Sequence, residues 1–243
     1  GSSRIPAACC GVVGLKPTLG AVPMELAADL FGGISTIGLM ARTAADIDLL
    51  FGVIKGPCRQ DPWTMGSRED AGAVRPAAPA AAQGLGGLRV RRAMKFGDHG
   101  LDPEVERLTS RALSRMVDAG AVLADEVPQD FDWALDVCRK LIRFNQAARY
   151  APLLAKWSTR FDPVLVRCLE EGLGQTMPEL REAMLERTAL FRRVQALFEG
   201  ADVIVTPSFT ATPPRADHPA DAPWSVAGAS ARSLRDGWYC YAV

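Results

Sequence analysis

The sequence predicts an α/β fold with a helical insertion between strands. Two observations carry this. Leu88–Phe96 (LRVRRAMKF) reads as a strand, Asp102-Pro103 opens an amphipathic helix that Gly120 closes, and Ala121–Val127 reads as a second strand, which is a βαβ-type order. Residues 131–199 then read as predominantly helical and lead into Ala201–Pro207 (ADVIVTP), a buried-type strand ended by proline.

Taken from the start, residues 1–25 are dense in Gly, Pro and small side chains, and the run CCGVVGL over Cys9–Leu15 suits a buried strand or a tightly packed turn. Pro17 and Pro23 break any helix there. Thr43 has the chemistry of an N-cap for a helix carrying Ala44, Ile47, Leu50, Phe51 and Ile54 at helical spacing, stopped by Gly56-Pro57. Residues 57–87, with the stretch VRPAAPAAAQGLGG, are the loop or linker of the chain. The helix after Asp102 places Val105, Leu108, Ala112, Leu113, Met116 and Val117 on one face. Helices are expected near 131–156, 162–173 and 177–199, with Pro163 and Pro178 in first turns. Their apolar residues, Leu141, Ile142, Phe144, Leu153, Leu154, Trp157, Phe161, Leu165 and Leu169, are read as core. Arg139, Lys140, Arg143 and Arg149 are read as a solvated face, and Trp133, Trp157 and Trp224 as candidate pocket-lining residues whose direction nothing in the sequence fixes. From Thr210 to Gly237 the chain is Pro-, Ala- and Ser-rich and is expected to be irregular.

Composition removes several function classes. The 243 residues carry 28 Lys plus Arg and 28 Asp plus Glu, so the net charge is zero and no basic excess marks a nucleic-acid partner or an anionic membrane. The uncharged stretch from Leu30 to Ala41 is about half the roughly 20 residues of a spanning helix, and no signal peptide is visible. Six cysteines without Cys-x-x-Cys spacing read as reduced, small buried thiols in a cytoplasmic protein. There is no phosphate-binding glycine loop, no His-Glu-x-x-His and no Gly-x-Ser-x-Gly elbow, and the only histidines, His99 and His218, lack ligand spacing. No metal and no cofactor is expected.

The first eighteen residues carry the chemistry. Gly1-Ser2-Ser3 is a donor-rich backbone beside two hydroxyls, small enough for a carbonyl to approach its N–H groups. Arg4 is a cationic fork able to tie down neighbouring carbonyls. The string Gly1-Ser2-Ser3-Arg4-Ile5-Pro6-Ala7, followed by Cys10-Gly11-Val12-Val13-Gly14-Leu15-Lys16-Pro17-Thr18, resembles the core of the amidase signature family, with its Gly-Gly-Ser-x-Arg-[Ile/Val]-Pro-Ala segment and its Cys-Gly-Val-Val-Gly-Leu-Lys-Pro-Thr segment. Ile37-Gly38-Leu39-Met40-Ala41-Arg42-Thr43 is similar to the family's Gly-Pro-Leu/Met-Ala-Arg-Thr, with Leu39 in place of the usual proline. Ala201–Pro207 is similar to the family's Asp-x-Leu-x-Thr-Pro-Thr, with Ser208 replacing the last threonine.

The resemblance implies a mixed β-sheet flanked by helices, and a hydrolase of linear amides that works through a Ser–cis-Ser–Lys arrangement. By it, Ser2 is the nucleophile that forms an acyl-enzyme, Gly1 and the Ser2 backbone belong to the oxyanion hole, and Arg4 supports the loop. Ser3 falls at the variable position, and Lys16 falls outside the context of the catalytic lysine. Thr206 and Ser208 are candidate pocket residues. The family's lysine and bridging serine lie well upstream of the nucleophile and have no counterpart in these 243 residues. Trp238-Tyr239-Cys240-Tyr241 resembles the start of a segment that leads to Phe-Asn-x-Thr-Gly-x-Pro. The expectation is therefore a partial amidase signature domain over residues 1–243, an internal fragment inactive alone and marginally stable because its sheet exposes edges. Expected partners are a small-molecule amide, no nucleic acid and no membrane, with a homodimer left open. Two alternatives stay open: the A subunit of a tRNA-dependent amidotransferase, and a non-catalytic remnant of the fold.

Overall fold

The structure is a computed structural model that describes residues 3–27, 29–65, 84–97, 99–128, 130–219 and 222–231. It divides into two units, Gly1–Gln83 and Gly84–Val243.

In the first unit, α1 (Arg4–Cys10) starts with Pro6 among the residues whose N–H needs no intrahelical acceptor, and ends at Gly11, which turns left-handed at φ 66°. The expected buried strand or packed turn over Cys9–Leu15 is thereby corrected. Cys9 and Cys10 are exposed in the helix, and the strand β1 is only Val13–Leu15. Local helix formers (Ala7, Ala8) and the glycine stop outweigh the apolar run. β1 pairs antiparallel with β2 (Leu39–Ala41), Gly14 opposite Met40. Thr43 then caps α2 (Ala44–Ile54) as expected: its Oγ1 accepts from the Asp46 N–H at 3.1 Å, and Asp46 accepts in return from the Thr43 N–H at 3.2 Å. Within the expected loop, residues 66–83 lie outside the described ones. Before them Pro62–Thr64 forms a 3₁₀ turn around buried Asp61, whose carboxylate accepts from the N–H groups of Met24 (2.8 Å) and Trp63 (3.0 Å).

In the second unit, three parallel strands lie in the order β4-β3-β5, with β3 (Arg89–Arg92) central between β4 (Val122–Ala124) and β5 (Val203–Val205). The α3 helix (Pro103–Asp118) joins β3 to β4, which is the predicted βαβ unit, with Asp102 accepting from the Glu104 N–H as its cap. The α/β class holds, with parallel and antiparallel pairing in separate small sheets. Val90, Met94, Leu101, Leu113 and Ala121 form the core between α3 and the sheet.

The helical insertion is α4 (Asp132–Trp157), α5 (Pro163–Leu173) and α6 (Met177–Ala196). Phe131, Ala134, Leu190 and Leu197 share a core with Ala93 and Phe96 of the chain beyond β3, where the Phe96 and Phe131 rings meet edge-on at 5.6 Å. Val137 and Leu141 of α4 pack on Leu180 and Ala183 of α6. The core reading holds for Leu141 and Leu169, whereas Ile142 and Leu153 are exposed. Arg143 is not on a solvated face: its Nε stands 2.9 Å from Glu171 and ties α4 to α5, where Gly172 lets the backbones approach. Thiol burial is also corrected. Among the described residues only Cys168 is buried, and Cys58 and Cys138 are half-buried.

The expected irregular stretch after Thr210 contains a hairpin, β6 (Trp224–Val226) and β7 (Ala229–Ala231). Its turn has φ 49° at Ala227 and 85° at Gly228, the type I′ pattern, but with alanine where Asn or Asp would have announced it.

Asp202 anchors β5 to β3. Its carboxylate accepts from the Arg89 side chain at 2.7 and 3.2 Å and from the Arg89 N–H at 2.9 Å, and these bonds hold its pKa at about 2 instead of 3.8. A depressed folded-state pKa gives stability that is present above the unfolded value of 3.8 and is lost as the pH falls through about 2. Carboxyl NMR is expected to show Asp202 titrating near 2, and moving back toward 3.8 in Arg89→Ala.

Candidate active site

The described part of the candidate catalytic segment begins at Ser3. Gly1 and Ser2 lie outside the described residues. Ser3 is buried and occupies the N-cap position of α1 with helical φ and ψ, so its hydroxyl makes no cap bond. Its Oγ instead donates to the Leu15 carbonyl at 3.2 Å, and its carbonyl accepts from the Ala7 N–H at 3.1 Å. This fastens the start of α1 to the antiparallel β1–β2 pair, a role that a variable position in a motif does not disclose.

Two glycines make room for that attachment. A Cβ on Gly14 would stand 2.6 Å from the Ala7 Cβ and 2.9 Å from the Ser3 carbonyl oxygen, and a Cβ on Gly38 would collide with the Ser3 side chain. Gly14→Ala is expected to cost about 1–3 kcal/mol by overpacking, read as a lower urea midpoint with an unchanged slope.

Arg4 is half-buried, next after Ser3. Lys16 has its pKa lowered by partial burial and by the Arg4 charge, and its Nζ donates to the Pro17 carbonyl at 2.9 Å. The two cations therefore act on each other electrostatically, and Lys16 has a backbone acceptor of its own.

The other candidates belong to the second unit. Thr206 follows β5 and is half-buried, with its Oγ1 donating to the Pro207 carbonyl at 3.4 Å, and Ser208 is exposed. A cleft of about 480 Å³ opens at the carboxyl end of β3, lined by Arg92, Lys95, Glu106, Ser110 and Glu126, and Thr206 and Ser208 are not part of its lining. Arg92 is held there by Glu126 at 2.7 Å. Sequence reasoning missed this cleft, because its charges come from a strand end, a helix face and a loop that no spacing links.

Trp133 packs in the core, Trp157 lies under Lys156 and Arg160, and Trp224 meets the His218 ring edge-on at 5.0 Å. Among the described residues no group of three or more His, Cys, Asp or Glu side chains could hold a metal ion, and no helix is long and apolar enough to cross a membrane.

Comparison with known proteins gives a consistent result. A family model described as Amidase matches residues 1–234. An acylamidase of Rhodococcus erythropolis is 36% identical over 129 residues, 53% of this chain and 26% of the relative. A 2-amino-5-chloromuconic acid deaminase of Comamonas testosteroni is 30% identical over 220 residues, 88% of this chain and 44% of the relative. The solved structure of a bacterial aryl acylamidase, described as belonging to the amidase signature enzymes, superposes with a TM-score of 0.82 at 20% identity over 99% of this chain and 50% of its own. The chain thus spans half or less of the length of these proteins.

Proposed function

Because the chain belongs to the amidase family, we propose that it forms part of a hydrolase that cleaves the C–N bond of a small carboxylic amide through an acyl-enzyme on Ser2. The observation that carries this reading is the attachment of Ser3 to Leu15 between Gly14 and Gly38. It fixes the backbone immediately after Ser2 to folded structure, as a nucleophile that must meet its carbonyl within a fraction of an ångström requires.

In the proposed reaction the Ser2 Oγ attacks the amide carbonyl, and backbone N–H groups at Gly1 and Ser2 stabilise the developing oxyanion. The amine leaves with a proton, and water then releases the carboxylate. Arg4 supports the loop without reacting, as its place beside buried Ser3 suggests. Thr206 and Ser208 are proposed to contribute to the substrate wall. The free thiols at Cys9, Cys10, Cys58, Cys138 and Cys168 suit a cytoplasmic, reducing compartment. Self-association into a homodimer is kept as part of the proposal.

The test is treatment of the product of the complete reading frame with a fluorophosphonate, followed by peptide mapping. Modification of Ser2 is expected. Modification of another serine with Ser2 untouched sinks the assignment. Release of ammonia from glutamine in the same preparation would redirect the reading to the A subunit of an amidotransferase.

A further inference from the structure

Gly38 lies against Ser3, and its backbone does not explain why it is glycine. Its φ is outside the left-handed region, unlike that of Gly33 at 58° or Gly56 at 141°, so an L side chain is conformationally allowed there. What excludes the side chain is Ser3. A Cβ on Gly38 would overlap the Ser3 Oγ, stand 2.6 Å from the Ser3 Cβ and stand 3.1 Å from the Leu15 carbonyl oxygen. Carbon atoms in contact prefer about 3.5–4.0 Å, so one side must yield by about 1 Å.

The two sides are not equally held. Gly38 directly precedes β2, whose three residues pair with β1 starting at Leu39 opposite Leu15. Ser3 is buried and is held by one side-chain bond to the Leu15 carbonyl and one bond from the Ala7 N–H. Its carbonyl oxygen already faces Gly14 with no room for a Cβ, which blocks retreat in that direction. The displacement therefore falls on the Ser3 backbone, and a planar peptide bond passes it on to Ser2.

We propose that Gly38 is a positioning residue for the Ser2 hydroxyl, a role that rests on Ser2 being the acylated residue. The missing side chain lets Ser3 seat against the β1–β2 pair and so sets where the neighbouring oxygen meets the amide carbonyl. A misplacement of about 1 Å costs about 10²-fold in the chemical step, whereas contacts that bind the rest of the substrate stay as they were.

The test uses the product of the complete reading frame in four forms: unsubstituted, Gly38→Ala, Ser3→Gly, and Gly38→Ala with Ser3→Gly. The probe is a fluorophosphonate. Peptide mapping follows its addition to Ser2, and the concentration dependence separates the maximal rate from the half-saturating concentration. Gly38→Ala is expected to lower the maximal rate by about 10- to 100-fold, with the half-saturating concentration within about twofold and the circular dichroism unchanged. Ser3→Gly removes both overlapped atoms, so the double variant is expected to label within about threefold of Ser3→Gly alone, a rescue that a general loss of packing would not show. An unchanged rate in Gly38→Ala, a change confined to the half-saturating concentration, loss of the fold, or no rescue in the double variant overturns the proposal. No label at Ser2 in the unsubstituted protein removes the acyl-enzyme reading itself, and the role of Gly38 with it, which tells the two failures apart.

Discussion

Replacing Ser2 with alanine in the complete gene product is expected to lower amide hydrolysis by about 10³-fold or more, with the fold and substrate binding little changed. The size follows from the chemistry. Without the hydroxyl no acyl-enzyme forms, and what remains is orientation of the amide and whatever the backbone donors contribute. Ser3→Ala is the internal control, because the two serines are adjacent and do different things. The Ser3 hydroxyl is committed to the Leu15 carbonyl, so its loss is expected to cost about 1 kcal/mol of stability and to leave the acylated residue in place. A burst of leaving-group release on a chromogenic anilide reads acylation, and a urea midpoint reads stability. If Ser3→Ala abolishes the burst and Ser2→Ala spares it, the assignment of the nucleophile is wrong.

Leu169→Ala is expected to be the most damaging single truncation among the described residues of the helical insertion, costing about 2–5 kcal/mol. Leu169 has no exposed surface and sits on α5 beside buried Cys168 and one turn before Gly172, whose missing side chain lets the Arg143 carbonyl of α4 approach. A cavity there cannot close easily, since the backbones of α4 and α5 are already in contact. Leu173→Ala, four residues on and exposed by 60%, is expected to change the urea midpoint within error. Comparable losses from both variants would show that α5 is not packed as described.

The residues differ in how much they revealed. Helix starts announced by a polar cap or a first-turn proline were readable to within a residue or two: Thr43, Asp102 with Pro103, Asp162 with Pro163, and Pro178 all carry the local chemistry of an N-terminus. Strands were overextended, because in LRVRRAMKF the ladder ends at Arg92 and the chain bends at Met94 and Phe96, and periodicity does not count ladder bonds. The α1 helix was hidden by the apolar run that follows it, and the β6–β7 hairpin by an alanine at a positive φ. The chemistry of the opening segment was legible as a motif, whereas the Ser3 bond to Leu15 depends on a partner twelve residues away that spacing alone does not identify.

The bond between Arg89 and Asp202 joins positions 113 residues apart. At a synthesis rate of about 5–20 residues per second, β3 leaves the ribosome on the order of ten seconds before β5 exists. Once β4 has followed, the central strand has β4 on one edge and nothing of its own on the other, while α4, α5 and α6 are still being made. The nascent protein must therefore keep an open strand edge away from its neighbours until Asp202 arrives, and crowding of translating ribosomes should lower its yield more than heating the finished molecule would suggest.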